Sequence, residues 1–387
     1  MKRKCFLSFF ALMICTLGFA ASDADIALFN AVKAKNLAKV NQYIYANANQ
    51  RFEYGGGKAM TAFQLAVENN STQIARSLIV DGNADVNTDG KDEPPLFIAA
   101  RKDNLAMMEL LIDSNADVNA LYENQPVSVF ILMNQSGHAS NLMNFLIRKA
   151  GANFSWNWQD NNKRTLLHYA VAGGNFDTMR GNVDINTIAE LLSSGLCDLS
   201  IADVNGWTPL HIAAASGNSE LMILLLNSRQ ASKLFNVKDN DGYTPITRYI
   251  TTTYNAKSLN VRVVTMAMKK QIFSLNNFNF PEGVTSDNGV FLIAENDDLQ
   301  NVLSFFRELS KNNRMLAELE DKDGIPLLCH AIENEWSPSI VDIVIQNYRG
   351  NWRKIRPKVR NGKNAIDIMR QNHSEDKYKD IFDAYSN

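Results

Sequence analysis

Asp203-Val204-Asn205-Gly206-Trp207-Thr208-Pro209-Leu210-His211-Ile212-Ala213-Ala214-Ala215-Ser216-Gly217-Asn218 decides how this chain folds. Asp203 belongs to a turn, where its carboxylate can accept nearby backbone N–H groups. Thr208 can cap a helix through its hydroxyl. Pro209 fits the first helical turn, where its missing N–H is not needed. Leu210 and Ala213 share a face at helical spacing. The small Ala213-Ala214-Ala215 run allows a neighbouring helix to approach closely, and Gly217 ends the helix by entering a left-handed backbone conformation cheaply. A leucine-rich run follows at Leu221, Leu224, Leu225 and Leu226, and a second helix is expected to present Leu221, Leu224 and Leu225 to the stack. One such pair cannot bury its apolar faces alone, so its stability must come from neighbouring pairs.

The same pattern recurs in degraded form at Thr61-Ala62-Phe63-Gln64-Leu65-Ala66, Pro94-Pro95-Leu96-Phe97-Ile98-Ala99, Thr165-Leu166-Leu167-His168-Tyr169-Ala170 and Thr244-Pro245-Ile246. Fainter echoes stand at Ala27-Leu28-Phe29-Asn30-Ala31, Gln125-Pro126-Val127, Pro326-Leu327-Leu328-Cys329-His330-Ala331 and Asn364-Ala365-Ile366-Asp367. A second motif keeps phase with the first: Gly82-Asn83-Ala84-Asp85-Val86-Asn87, Asn115-Ala116-Asp117-Val118-Asn119 and Gly151-Ala152-Asn153. Together these residues resemble the ankyrin repeat, whose signature Thr-Pro-Leu-His-x-Ala returns about every 33 residues. The resemblance implies an all-α ankyrin-repeat solenoid of about ten repeats, some irregular or carrying insertions. Its hairpins would begin near the Gly-Ala-Asp-x-Asn motif.

Spacing refines this expectation. Thr61 to Pro94 is 33 residues, one family period, whereas Thr165 to Thr208 is 43, which places an insertion near Arg180–Ile185 between the two helices of that repeat. Thr244 to Pro326 is 82, enough for two long repeats with a junction near Gly289. The expected organisation is a leader over 1–20, N-terminal repeats over 21–250, an irregular repeat or junction over 251–288, and C-terminal repeats with a cap over 289–387. Ser374–Asp380 would give the last repeat its polar outer face, with Ile381 and Phe382 turned inward.

The leader is read from Lys2, Arg3 and Lys4, the apolar run Phe6–Phe19, and the small residues Gly18 and Ala20 before a cut after Ala20. That is the grammar of a Sec-type secretory signal. The run is shorter than the ~20 residues that span a bilayer, and no later stretch is long and apolar enough to span. Ile14 stands where a lipoprotein signal before Cys15 would want a small residue. The expected location is therefore periplasmic or secreted. Losing the leader takes three of 39 basic residues and none of the 41 acidic ones, which leaves a mildly acidic chain with no charge-based case for nucleic-acid binding. Cys197 and Cys329 would remain. They fall about four repeats apart, too far for the ~7 Å between Cα atoms that a disulfide allows.

Chemistry-bearing motifs are sparse. There is no His-Glu-x-x-His, no Cys-x-x-Cys and no phosphate-cradling Gly-rich loop. Gly55-Gly56-Gly57-Lys58 lacks the Walker spacing and reads as a hairpin tip. His168 and His211 occupy the signature position, where the resemblance implies local hydrogen bonding. His330, beside Cys329, belongs to a first helix. The repeats use essentially the whole chain after the leader, so no segment of ~100 residues is left for a separate catalytic domain. A cryptic hydrolase or transferase within 251–287 would have no histidine or cysteine to work with. The expectation is no enzyme activity, no cofactor and no metal.

What remains is recognition. The resemblance implies a concave groove lined by hairpin tips and first helices. Arg164, Trp207 and Tyr243 stand between turn and cap on successive repeats, and such residue types dominate interface energy. Trp156 and Trp158 alternate in an expected hairpin, so on a strand both rings would project from one solvent-facing side. A different surface is the basic run of Arg349, Arg353, Lys354, Arg356, Lys358 and Arg360. It suits an anionic surface, and with it a role as an envelope tether. The first reading is a monomeric, non-enzymatic scaffold for protein partners. It is similar to exported bacterial ankyrin proteins, some of which act as effectors on host proteins.

Overall fold

In a computed structural model the described residues are 21–54, 59–87, 92–133, 139–177, 183–234, 236–255, 259–269, 289–294, 299–311, 316, 319–320, 323–347 and 362–385. The chain divides into two compact units, Met1–Ser155 and Trp156–Asn387. In the first, helices come in pairs: α1 (Asp23–Lys33) with α2 (Leu37–Gln42), α3 (Ala62–Glu68) with α4 (Thr72–Val80), α5 (Pro95–Arg101) with α6 (Leu105–Asp113), and α7 (Val127–Met133) with α8 (Ala139–Ala150). The first helices α1, α3, α5 and α7 pack in sequence against one another, and so do the second helices α2, α4, α6 and α8. Two small antiparallel hairpins enter α3 and α7. One pairs β1 (Arg51–Glu53) with β2 (Ala59–Thr61), and the other pairs β3 (Leu121–Tyr122) with β4 (Gln125–Pro126). Glu123 and Asn124, at φ 51° and 59°, close the second by a two-residue turn with both centres left-handed.

The second unit repeats the scheme. Its pairs are α9 (Leu166–Ala172) with α10 (Ile185–Ser194), α11 (Pro209–Ser216) with α12 (Ser219–Asn227), α13 (Pro245–Asn255) with α14 (Val261–Lys269), α15 (Gly289–Ala294) with α16 (Leu299–Ser310), α17 (Leu327–Glu333) with α18 (Pro338–Gln346), and α19 (Ala365–Gln371) with α20 (Glu375–Ala384). One layer runs through α9, α11, α13 and α15, and the other through α12, α14, α16, α18 and α20. The longer connection between α9 and α10 is the insertion that the spacing demanded. Its residues 178–182 lie outside the described ones, as do the expected tip Gly55–Lys58 and the leader 1–20.

The pairs form for local reasons. Thr61, Thr165 and Thr208 each cap a first helix and share reciprocal bonds with the residue three positions on. The turn to the second helix needs a left-handed residue. Gly217 supplies it at φ 68°, but Lys35, Asn70, Asp103, Glu335 and His373 take the same conformation at φ 52–60°. After that residue the backbone N–H returns to the first helix, as in Ser71 to Ala66 at 2.9 Å and Asn104 to Ala99 at 3.0 Å. Asn36, Asn104 and Asn218 then cap the second helices. The core they enclose is rich in aromatics from the first helices, including Phe63, Phe97, Tyr249 and Phe291, all fully buried. Each such side chain contributes roughly 1.5–3 kcal/mol on burial.

Neighbouring pairs are locked by amides. Asn49 accepts the Asp85 N–H at 2.8 Å and donates to the Asn83 carbonyl at 3.3 Å. Asn87 does the same to Asp117 and Asn115, and Asn119 to Ser155 and Asn153. In the second unit Asn157 reaches Asp198 and Leu196, and Gln230 plays the same part on Leu199 and Cys197. This explains the asparagine of the Gly-Ala-Asp-x-Asn motif: its amide satisfies one donor and one acceptor in the next turn.

The chain's division falls between Ser155 and Trp156, and α13 and α14 join both layers of the second unit, while residues 270–288, within the expected junction at 251–288, lie outside the described ones. One expectation changes. At the end of the chain Tyr378, expected on the polar face, is fully buried and donates its hydroxyl to the Trp336 carbonyl at 2.8 Å, while Ile381 is only half-buried and Phe382 is buried as expected. The fold is mostly helical but carries the two short β-hairpins.

Gly206 sits at φ 74°, and a Cβ there would meet Asn240 Oδ1 at 2.8 Å and the Asn240 backbone at 3.0 Å. Gly206→Ala is expected to lower stability by about 1–3 kcal/mol through strain and collision, whereas Glu335→Gly relieves strain and should raise it. Urea unfolding midpoints check this; an alanine variant as stable as the parent would contradict the hairpin geometry.

Candidate functional site

Three successive hairpins in the second unit share one frame. Asp160 Oδ1 accepts the backbone N–H of Asn162 at 2.8 Å and of Arg164 at 2.7 Å. Asp203 Oδ1 accepts from Asn205 at 2.8 Å and Trp207 at 2.9 Å, and Asp239 Oδ1 from Asp241 at 3.0 Å and Tyr243 at 2.9 Å. Hairpins also bond to one another: Val204 N–H donates to the Asn162 carbonyl at 3.0 Å, and Asn240 N–H to the Asn205 carbonyl at 3.1 Å. The residues four positions after each aspartate, namely Arg164, Trp207 and Tyr243, are thus held in a row.

Two imidazoles tie this row to the helices beneath. His168 Nδ1 accepts the Thr165 N–H at 3.1 Å, which leaves the proton on Nε2, and Nε2 donates to the Trp207 carbonyl at 2.9 Å. His211 repeats this with Thr208 at 3.2 Å and the Tyr243 carbonyl at 3.1 Å. Burial holds His168 below the usual imidazole range. Burial also pushes His211 down to about 4, against the pull of the Asp239 charge. Both rings are therefore neutral structural bridges, as expected of the signature position. In the next repeat Thr247 replaces the histidine and bonds only within its own cap, to Thr244.

What differs between the hairpins is the side chain nine positions after the aspartate. In the first, Tyr169 donates its hydroxyl to Asp160 Oδ2 at 2.8 Å. In the second this position is the buried Ile212. In the third, Arg248 Nε donates to Asp239 Oδ2 at 2.7 Å, and its Nη2 donates to Asp241 Oδ2 at 2.9 Å. The Arg248 guanidinium carbon lies 4.5 Å from the Trp207 ring centre and 4.7 Å from that of Tyr243. Two aromatic rings from consecutive hairpins thus stack with one cation, an arrangement worth about 0.5–2 kcal/mol per contact. Trp207 and Tyr243 are half-buried, which leaves part of each ring open. Arg164 is half-buried too, its guanidinium carbon 3.9 Å from the centre of the Phe176 ring.

The structure thus brings Trp207 and Tyr243 together through Arg248, a residue that sequence reasoning missed. The signal was present: Tyr169 and Arg248 stand at the same offset from Asp160 and Asp239. The Trp156–Trp158 expectation is corrected. Trp156 is 3% exposed and lies in a turn, so no strand alternation turns both rings outward; Trp158 is half-buried. The six basic residues Arg349, Arg353, Lys354, Arg356, Lys358 and Arg360 lie outside the described residues. In the first unit, charges pair internally: Arg101 bridges Glu93 and Glu68, and Lys102 also binds Glu68.

Among the described residues no group of three or more His, Cys, Asp or Glu residues could hold a metal, and no described helix is long and apolar enough to cross a membrane. Cys197 and Cys329 are buried, and burial pushes both thiols up to about 12. Cys197 fills the place of Ala84 and Ala116 in the turn motif, and His330 packs at 4.6 Å from Phe291 and 5.5 Å from Trp336.

A family model for ankyrin repeats in three copies matches residues 28–121, 129–235 and 179–256. The chain belongs to the ankyrin-repeat family. Ankyrin repeats generally mediate protein–protein interaction, and the family is typically non-enzymatic. The hairpin row and its imidazole bridges lie within the matched ankyrin repeats.

The bridges carry a pH signature. A histidine whose folded pKa is depressed from ~6.5 to about 4 costs stability as pH falls through that window, because the unfolded chain binds the proton first. Wild-type stability should be full above pH 6.5 and decline toward pH 4. His211→Gln, which cannot titrate, should lie below wild type at pH 7, with the gap narrowing toward pH 4; a constant gap across thermal melts would refute the neutral bridge.

Proposed function

We propose that this ankyrin protein is a monomeric, non-enzymatic scaffold that holds protein partners along its hairpin tips and first helices. The ten helical pairs among the described residues are taken as ankyrin-repeat units. The reading rests on the Trp207–Arg248–Tyr243 stack: large rings on consecutive hairpins, fixed by buried hydrogen bonds and still partly open. Rigid aromatic anchors lose little conformational entropy on binding and concentrate interface energy. We also propose export by the Sec-type leader to the periplasm or beyond, where the scaffold acts as an effector on host proteins.

For a partner purified with the full chain, Trp207→Ala combined with Tyr243→Ala should weaken binding at least tenfold by calorimetry. Tyr45→Ala, at a residue 95% exposed, serves as the control and should leave binding unchanged. Equal affinity of the aromatic double variant and the parent would remove the groove from consideration. The export proposal is checked by fractionating expressing cells and sequencing the mature N-terminus, which should begin at Ala21; an intact leader on a cytoplasmic chain would contradict it.

A further inference from the structure

Arg164 is the odd member of the hairpin row. It occupies the position of Trp207 and Tyr243, yet it carries a charge. The carboxylate of its own hairpin is already committed: Asp160 Oδ1 accepts two backbone N–H groups and Oδ2 accepts the Tyr169 hydroxyl. The contrast with the third hairpin is direct, because there the oxygen equivalent to Asp160 Oδ2 is bonded to Arg248. Arg51, Arg101 and Arg248 each pair with a carboxylate. Arg164 has no such pair among the described residues, and its Nε is buried without a hydrogen-bond partner.

The side chain is nevertheless held in place. Its guanidinium lies over Phe176, and that ring is set edge-on against Tyr169 at 5.0 Å and 90°. Stacking uses the face of the guanidinium and leaves its N–H edge to donate. A planar fork of this kind matches a carboxylate, and an unsatisfied donor is unfavourable until something bonds to it.

Resting on the scaffold reading above, we propose that Arg164 receives an Asp or Glu side chain of the bound segment, while Trp207 and Tyr243 take an apolar or aromatic residue farther along it. The partner class is thus an acidic–aromatic peptide segment lying across consecutive hairpins.

The test pans a random phage-displayed peptide library against the full chain and keeps binders lost on the Trp207→Ala, Tyr243→Ala double variant. Those binders should carry an Asp or Glu at a fixed distance from an aromatic or large apolar residue. Replacing that acid by Asn or Gln should weaken binding at least tenfold, and Arg164→Met should weaken it equally, with no further loss when both changes combine. Arg164→Glu should shift the selected position to Lys or Arg. Melting curves monitor folding, and if Arg164→Met unfolds, Arg164→Lys replaces it, with a partial loss expected. Binders that need Trp207 and Tyr243 but show no acidic preference and ignore Arg164 overturn this proposal while sparing the scaffold reading. A library that yields no binder dependent on Trp207 and Tyr243 defeats both.

Discussion

A helical pair of some twenty residues cannot satisfy itself, and this constraint shapes every element of the chain. Burial of Phe63, Phe97, Tyr249 and Phe291 drives association of neighbouring pairs, but apolar burial has no direction. Direction comes from polar atoms that reach across. The amides of Asn49, Asn87, Asn119 and Asn157 each clamp a donor and an acceptor of the following turn. The imidazoles of His168 and His211 do the same from beneath. Shifting one pair against the next would break these bonds together, so each contact sets a register as well as adding stability.

This rigid frame separates what must stay constant from what is free to vary. The aspartate at the head of each hairpin spends Oδ1 on its own backbone, and Oδ2 is left to the side chain nine positions on. Tyrosine, isoleucine and arginine occupy that position in turn, with consequences for the residue that faces outward. Where arginine stands there, two aromatic rings acquire a cation between them. Where tyrosine stands there, it occupies the aspartate's second oxygen, and Arg164 stacks on Phe176. Small changes beneath the surface thus reset the chemistry above it.

The capping threonines, the proline of α11, Gly217 and the signature histidines were readable because each acts within a few residues of itself. The insertion before α10 was readable from spacing alone. Other features lay beyond local rules. Trp156 was assigned to a surface by strand alternation, but the segment turns and carries the ring inward. Arg248 joins the site because the chain folds back and sets helix α13 against its own hairpin, a contact hinted at only by the offset that Arg248 shares with Tyr169. Tyr378 sits in a stretch so charged that its burial was masked by its neighbours. The repeats lacking a turn glycine were faint in sequence because Lys35, Asp103, Glu335 and His373 adopt the left-handed backbone at some cost, and the pattern survives in geometry where it fades in letters.

Cys197 and Cys329 bear on how such a chain meets its surroundings. Both thiols are shut away and held in the unreactive protonated form, and nucleophilic exchange requires the thiolate. Neither sulfur is offered to oxidants dissolved in the surrounding water. Reaching either one requires the surrounding helices to part first, so thiol chemistry is gated by opening of the fold.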